Sequence, residues 1–219
     1  MSRRELLKAA TQDAHRDLDA RVSTAHYFTS PADYADWLAT SYRFHSIAEK
    51  ALEAGGVASV LTDWPARKKT PLIARDLADL GVAVGLPVVG PSVSQVAGLA
   101  VSPVVGDDQF HLADANACLG ALYVIEGASM GARVLLVAAR RLGMSAQHGA
   151  RQLTAAAESF GPWHTFVAML EAAPSTTLGE AAMIDAARRT FDLAASCFGG
   201  DGLAAVSASS LDHRANVAR

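Results

Sequence analysis

The chain of 219 residues carries a net charge of -3 and is 51% hydrophobic, enough to bury a substantial core in one large domain or two small ones. Alanine, leucine and valine dominate the apolar content and strand-like runs are scarce, so an all-α fold is the expectation. The charge balance and the lack of a basic stripe on any predicted helix argue against a nucleic-acid partner.

The first predicted helix covers residues 2 to about 21, with Ser2 as cap and Glu5 completing a capping-box pattern. Its start has charges but no apolar signal-peptide core. Its stripe runs Leu7, Ala10, Ala14, Leu18, Val22, with His15 on the edge. A second helix follows Ser30-Pro31, runs to about Glu53 and ends at Gly55-Gly56. Within it Tyr34, Trp37, Leu38, Ser41, Phe44, His45 and Ala48 recur at helical spacing, the mark of a well-packed face. A third helical segment runs from Thr70-Pro71 to Leu80 and is stopped by Gly81. From Gly81 to Gly106, glycines and prolines punctuate short valine-rich pieces, read as a long connector with one helical turn at Ser92–Ala97. The central helix is expected from Asp107 or Asp108 to Leu142, ended by Gly143. A further helix covers about Trp163 to Ala172, and a last one Thr177 to Phe198, stopped by Gly199-Gly200. The expected domain is residues 1–206, followed by a small polar tail, 207–219, expected to be poorly ordered. Cys118 and Cys197 lie outside any C-x-x-C pattern and read as buried thiols in a reducing compartment. Glu126 and Arg133 interrupt the most hydrophobic region before it reaches the roughly 18 residues of a membrane helix, so a soluble, cytoplasmic protein is expected.

The central helix poses the main question. It carries glycines at 120, 127 and 131, each costing roughly 1 kcal/mol of helix propensity against alanine. At helical spacing the three share a nearly bare face with Ala138, open to close approach by another helix or by a flat ligand. Small-x-x-x-small spacing alone more often serves helix packing. His15 is similarly two-sided, either a satisfied core residue or a ligand. The other six histidines form no helical pair and no Glu-x-x-His set occurs, which argues against a di-iron or zinc site. No G-x-S-x-G, P-loop or dinucleotide fingerprint is present.

Taken together, His15 and the glycine strip suit a flat macrocycle held between an imidazole and a helix whose backbone comes close. The segment Leu7 to Asp19, with Thr11, His15 and Leu18-Asp19, resembles the proximal helix of heme oxygenases. Tyr123-Val124-Ile125-Glu126-Gly127-Ala128-Ser129-Met130-Gly131 is similar to the distal helix of the bacterial branch of that family, including members associated with bacteriophytochromes. Arg188-Arg189-Thr190-Phe191 is similar to the family's C-terminal pattern, and the resemblance covers residues 3 to about 198.

The resemblance implies a single-domain helical fold with heme between a proximal and a kinked distal helix, and heme as both cofactor and substrate. His15 would bind the iron, with its second ring nitrogen fixed by an acceptor. Gly127 and Gly131 would let the distal helix lie over the ring beside Tyr123, and O2 and an external electron donor would convert heme to biliverdin, CO and ferrous iron. No flavin or nicotinamide motif is present, so a ferredoxin or flavoprotein reductase is the implied partner, with a bacteriophytochrome as biliverdin acceptor. Lys8 and Arg188 are the candidates for the heme propionates, and Arg189 reads better as a surface charge. One departure matters: where many relatives place an aspartate that anchors a water network, and bacterial ones often a serine, this chain has Ala128. Either Ser129, Glu126, Tyr123 or another polar group supports that network or proton delivery is impaired, so the alternatives are a heme-binding carrier or sensor on the same scaffold, or a helical domain without heme.

Overall fold

Ser2 opens the first helix as the capping box requires: its Oγ accepts from Glu5 N at 3.2 Å while Glu5 Oε2 accepts from Ser2 N at 2.9 Å. This is α1, Arg3–Arg21. The computed structural model describes residues 1–22, 24–84, 100–101, 110–158, 161–174 and 176–198. A short α2, Thr24–Tyr27, precedes α3, Pro31–Ala54, which Ser30 caps by accepting from Asp33 N at 3.1 Å. Gly56, at φ +78°, takes the left-handed conformation that ends α3. A 3-10 turn at Val57–Ser59 and the single-turn α4, Trp64–Arg67, lead into α5, Thr70–Asp79. Neither of these short turns shows in the periodicity of the sequence, being too short to repeat.

Beyond Gly81 the connector contains a parallel pairing of β1, Ala83–Val84, with β2, Ala100–Val101. The helical turn expected at Ser92–Ala97, the stop at Gly199-Gly200 and the tail lie outside the described residues. The central helix begins later than expected: α6 is Ala115–Gly127, started by Asp114, whose Oδ1 accepts from Ala117 N at 2.9 Å. Residues 110–113 are not helical because Leu112 is buried in the core and Asp114 holds an extended cap conformation. The helix is also not continuous. A 3-10 turn at Ala128–Gly131 separates α6 from α7, Ala132–Arg141, and Gly143 at φ +86° follows.

Three helices complete the fold: α8, Arg151–Glu158, α9, Gly161–Ala172, and α10, Thr177–Phe198. Helix α8 has no counterpart among the sequence expectations. Its first free N–H groups are satisfied from a distance, by Asp76 of α5, which accepts from Arg151 N at 2.9 Å and Gln152 N at 3.0 Å.

The apolar side chains form two clusters. One joins α1, the second half of α3, α6, α9 and α10 around Leu7, Leu52, Leu122, Phe166 and Phe191. The other joins the first half of α3 to α5, α7 and α8 around Tyr34, Leu38, Leu77 and Leu153. By length and composition the stretch Ala115–Arg141 would suffice to cross a membrane, but here its first half is a buried central helix packed on α10, α9 and α3. At the crossing of α6 and α10, Gly120 is required: a Cβ there would collide with the carbonyl of Met183. Gly120 thus leaves the glycine strip and serves helix packing, which corrects the expectation of a three-glycine face.

Candidate active site

His15 stands on α1 with its side chain 63% exposed. Its Nδ1 lies 3.0 Å from Asp19 Oδ2, one turn further on, and its ring meets Phe191 of α10 edge-on with centroids 5.9 Å apart. With Nδ1–H donated to the carboxylate, the lone pair sits on Nε2, the nitrogen a metal uses. His15 is therefore neither buried nor a satisfied core residue. One turn earlier, Thr11 is buried and donates its hydroxyl to Leu7 O at 2.8 Å.

From Thr11 a line of contacts leads across to the broken helix. The Tyr123 phenol of α6 interacts with Thr11, and burial pushes its pKa up against the lowering effects of Thr11 and Arg4. The Tyr123 ring lies 5.9 Å from Trp163 of α9, and the Trp163 ring edge stands 3.7 Å from where a Gly127 Cβ would be. Gly131, by contrast, faces open space: a Cβ there would meet nothing within 4 Å. Around it Met130, Val134 and Val137 are 61%, 67% and 51% exposed. A helix break that is open at Gly131, with apolar and uncovered side chains around it, suits a flat apolar ligand.

Ser129 turns the other way. Its Oγ accepts from Lys69 Nζ at 2.8 Å, and the same ammonium lies 3.4 Å from Ile125 O. Lys69 belongs to a buried polar cluster behind the break. Glu126 is buried and pairs with Arg67 Nη1 at 3.5 Å; Arg67 also donates to Pro162 O at 2.8 Å and pairs with Asp63 at 2.9 Å. Glu49 Oε1, from α3, accepts from the backbone N–H of Lys69 at 2.7 Å and of Thr70 at 3.1 Å. His45, one turn before Glu49, is held neutral, its pKa pushed down to about 3 by burial, with the Lys69 charge adding. Burial likewise pushes the Lys69 ammonium down, while Glu126 and Glu49 pull it up and Arg67 lowers it further. Ala128 is exposed and adds no polar atom, and Glu126 is committed to Arg67 rather than to solvent.

Of this cluster the sequence reading singled out Ser129 and Glu126 but not Lys69, Arg67 or Glu49. A signal existed in the second helix, where His45 and Glu49 share the face of Ser41, Phe44 and Ala48; charge on so apolar a face needs a partner from elsewhere.

The cation candidates separate clearly. Lys8 is exposed on α1, two turns before His15. Arg188 is exposed on α10, with Nε donating to Ala10 O at 3.1 Å, which sets it beside α1. Arg189 is occupied with Asp185 at 2.8 Å, the His111 carbonyl at 2.9 Å and the Phe110 ring at 5.9 Å. Among the described residues no group of three or more His, Cys, Asp or Glu side chains is placed to hold a metal ion. A metal at His15 must bring most of its own ligands, as an iron macrocycle does.

The family model for heme oxygenase matches residues 2–199. The chain is 30% identical over 173 residues to the heme oxygenase PigA of Pseudomonas aeruginosa, covering 77% of each sequence. It resembles the NO- and CO-bound heme oxygenase from Neisseria meningitidis with a TM-score of 0.66 and 25% identity, over 92% of this chain and 95% of that one. The heme oxygenase from Leptospira interrogans matches with the same TM-score of 0.66 at 16% identity, over 90% and 98%, a likeness of fold.

Proposed function

The chain belongs to the heme oxygenase family, whose function is heme degradation with heme as substrate and cofactor, and from that premise we propose that it cleaves heme with O2 and externally supplied electrons to biliverdin, CO and ferrous iron. Heme, when bound, supplies both the iron that activates O2 and the ring that is opened. His15 holds the iron through Nε2, oriented by Asp19. Gly127 and Gly131 admit the ring against the broken helix, with Tyr123 lining the way between. Lys8 and Arg188 take the two propionates, both being exposed cations beside the His15 helix. Ser129, hydrogen-bonded to Lys69, supports the polar side of proton supply that Ala128 cannot.

Electrons come from a ferredoxin or flavoprotein reductase, and the likeness of residues 123–131 to the bacteriophytochrome-associated branch supports a photoreceptor apoprotein as acceptor of the biliverdin. The core position of α6, with Glu126 paired inside it, supports a soluble enzyme.

The observation that carries this reading is an accessible, carboxylate-oriented imidazole on one helix together with a broken apolar helix that is open at Gly131 and lined by the Trp163 ring at Gly127. The test is to add haemin to the purified protein, record the Soret band, then supply reductant in air. A Soret shift that depends on His15, followed by biliverdin, is the expected result. No His15-dependent spectral change overturns heme binding. Ala128 also motivates a carrier or sensor reading, and a heme complex that survives reductant and air without yielding biliverdin would leave that reading in its place.

A further inference from the structure

The last carbonyls of a helix lack intrahelical partners and carry the negative end of its dipole, so they take donors or cations where they are buried. At the end of α6 this need is met from outside. Lys69, just before α5, reaches Ser129 Oγ at 2.8 Å and Ile125 O at 3.4 Å, so one ammonium bridges the last turn of α6 and the 3-10 turn that follows. Its backbone is pinned in turn by Glu49 of α3. The charges that face it are Glu49 from α3, Glu126 from α6 and Arg67 from α4, with neutral His45 of α3 alongside.

Burying an ammonium costs several kcal/mol unless it is paired, and a methionine of similar volume fills such space without that cost. A lysine here is therefore an expensive way to pack and a direct way to fix two acceptors across a helix break. The surroundings are also short of partners. Glu49 Oε2, His45 Nδ1, Thr70 Oγ1 and Arg67 Nε are all buried with no hydrogen bond. Groups of that kind are satisfied by ordered water. In the turn Ala128-Ser129-Met130-Gly131 the Ser129 hydroxyl is the single side-chain polar group that can carry such a network forward.

We propose that Lys69 is a positioning residue for heme cleavage: it holds the break in the distal helix in the shape that presents Gly127 and Gly131, and it fixes the Ser129 hydroxyl at the end of a buried water chain that supplies protons. This rests on the heme oxygenase reading of the site.

The test uses the full chain reconstituted with haemin, in Lys69→Met, Lys69→Arg and the charge-balanced Lys69→Met/Glu126→Gln. Lys69→Met is expected to bind haemin within about threefold of wild type, because His15 is untouched. Its ferric heme complex should pass from acid to alkaline spectrum about one pH unit higher, since loss of a nearby cation disfavours the more negative form. Biliverdin formation should fall about tenfold or more, in line with the loss of proton delivery. Lys69→Arg should restore both. The double variant removes one buried charge of each sign and leaves Arg67 paired with Asp63, so its stability is read separately by urea unfolding; the same spectral shift and slow turnover in its folded, haemin-bound fraction separate positioning from folding. An unshifted transition with wild-type turnover in either Lys69→Met background overturns the proposal. Failure of the wild-type protein to bind haemin would instead overturn the reading beneath it.

Discussion

On the proximal side, His15 and Asp19 stand one turn apart on a single exposed helix, and nothing beyond α1 is needed to aim the imidazole except the edge contact with Phe191. On the distal side, the shape of the wall depends on Lys69, Arg67, Glu49 and Glu126, drawn from three segments: residues 67–69, α3 and α6 itself. The difference teaches that, in the proposed site, the setting of the iron ligand would be local to one helix, while the shape of the broken helix is a tertiary product. Damage to the first removes a bond and leaves the fold intact. Damage to the second changes a shape.

The sharpest way to break the comparison is His15→Ala, which should abolish the histidine-ligated heme spectrum and biliverdin formation while the far-UV circular dichroism stays that of the wild type. An unaltered ligand spectrum would show that the proximal wall is elsewhere. Next, Gly131→Leu should block turnover by filling the uncovered space, with little loss of stability since nothing lies within 4 Å of that position; normal turnover would remove the distal helix from the site. Gly120→Ala should do the reverse. It forces a methyl into the α6–α10 crossing, and urea unfolding should show a loss of about 3 kcal/mol, with the spectrum of the folded fraction unchanged.

A smaller effect is expected at Asp19. Asp19→Asn should weaken haemin binding about tenfold in a Soret titration, the lower end for a partner that orients a metal-binding histidine, because the pair is exposed. The smallest effect is on pH. His45 is neutral in the folded protein down to about pH 3, whereas an unfolded histidine takes its proton near pH 6.5. Between those values the unfolded chain binds more protons, so stability rises with pH across that window. His45→Gln should flatten that part of the profile measured by urea unfolding; an unchanged slope would show that His45 is not held neutral.

Much of the helical layout was legible because its signals are local. Ser2 with Glu5, Ser30-Pro31, and the glycines at 56, 81 and 143 mark ends that the chain honours within a residue or two. The contact of His15 with Asp19 is local in the same way, the two lying four residues apart on one helix. What was hidden is what other segments decide. Asp114 caps α6 and residues 110–113, with Leu112 buried among them, are not helical, whereas the expected starts Asp107 and Asp108 lie outside the described residues. Gly120 and Gly131 sit on one helical strip in sequence, yet a neighbouring backbone lies against one and nothing against the other. Lys69 reads as an ordinary charge beside Lys68 until the fold brings Ser129 and Ile125 onto its ammonium.

Helix α8 carries the same lesson into the order of folding. At eight residues it is too short to persist alone in water, and the carboxylate that opens it comes from Asp76, 75 residues earlier in the chain. It forms when α5 arrives. Its amides should therefore gain protection from hydrogen exchange together with those of α5 and later than those of the long helices α3 and α10, so that α8 acts as an internal clock for the docking of the second core cluster onto the first.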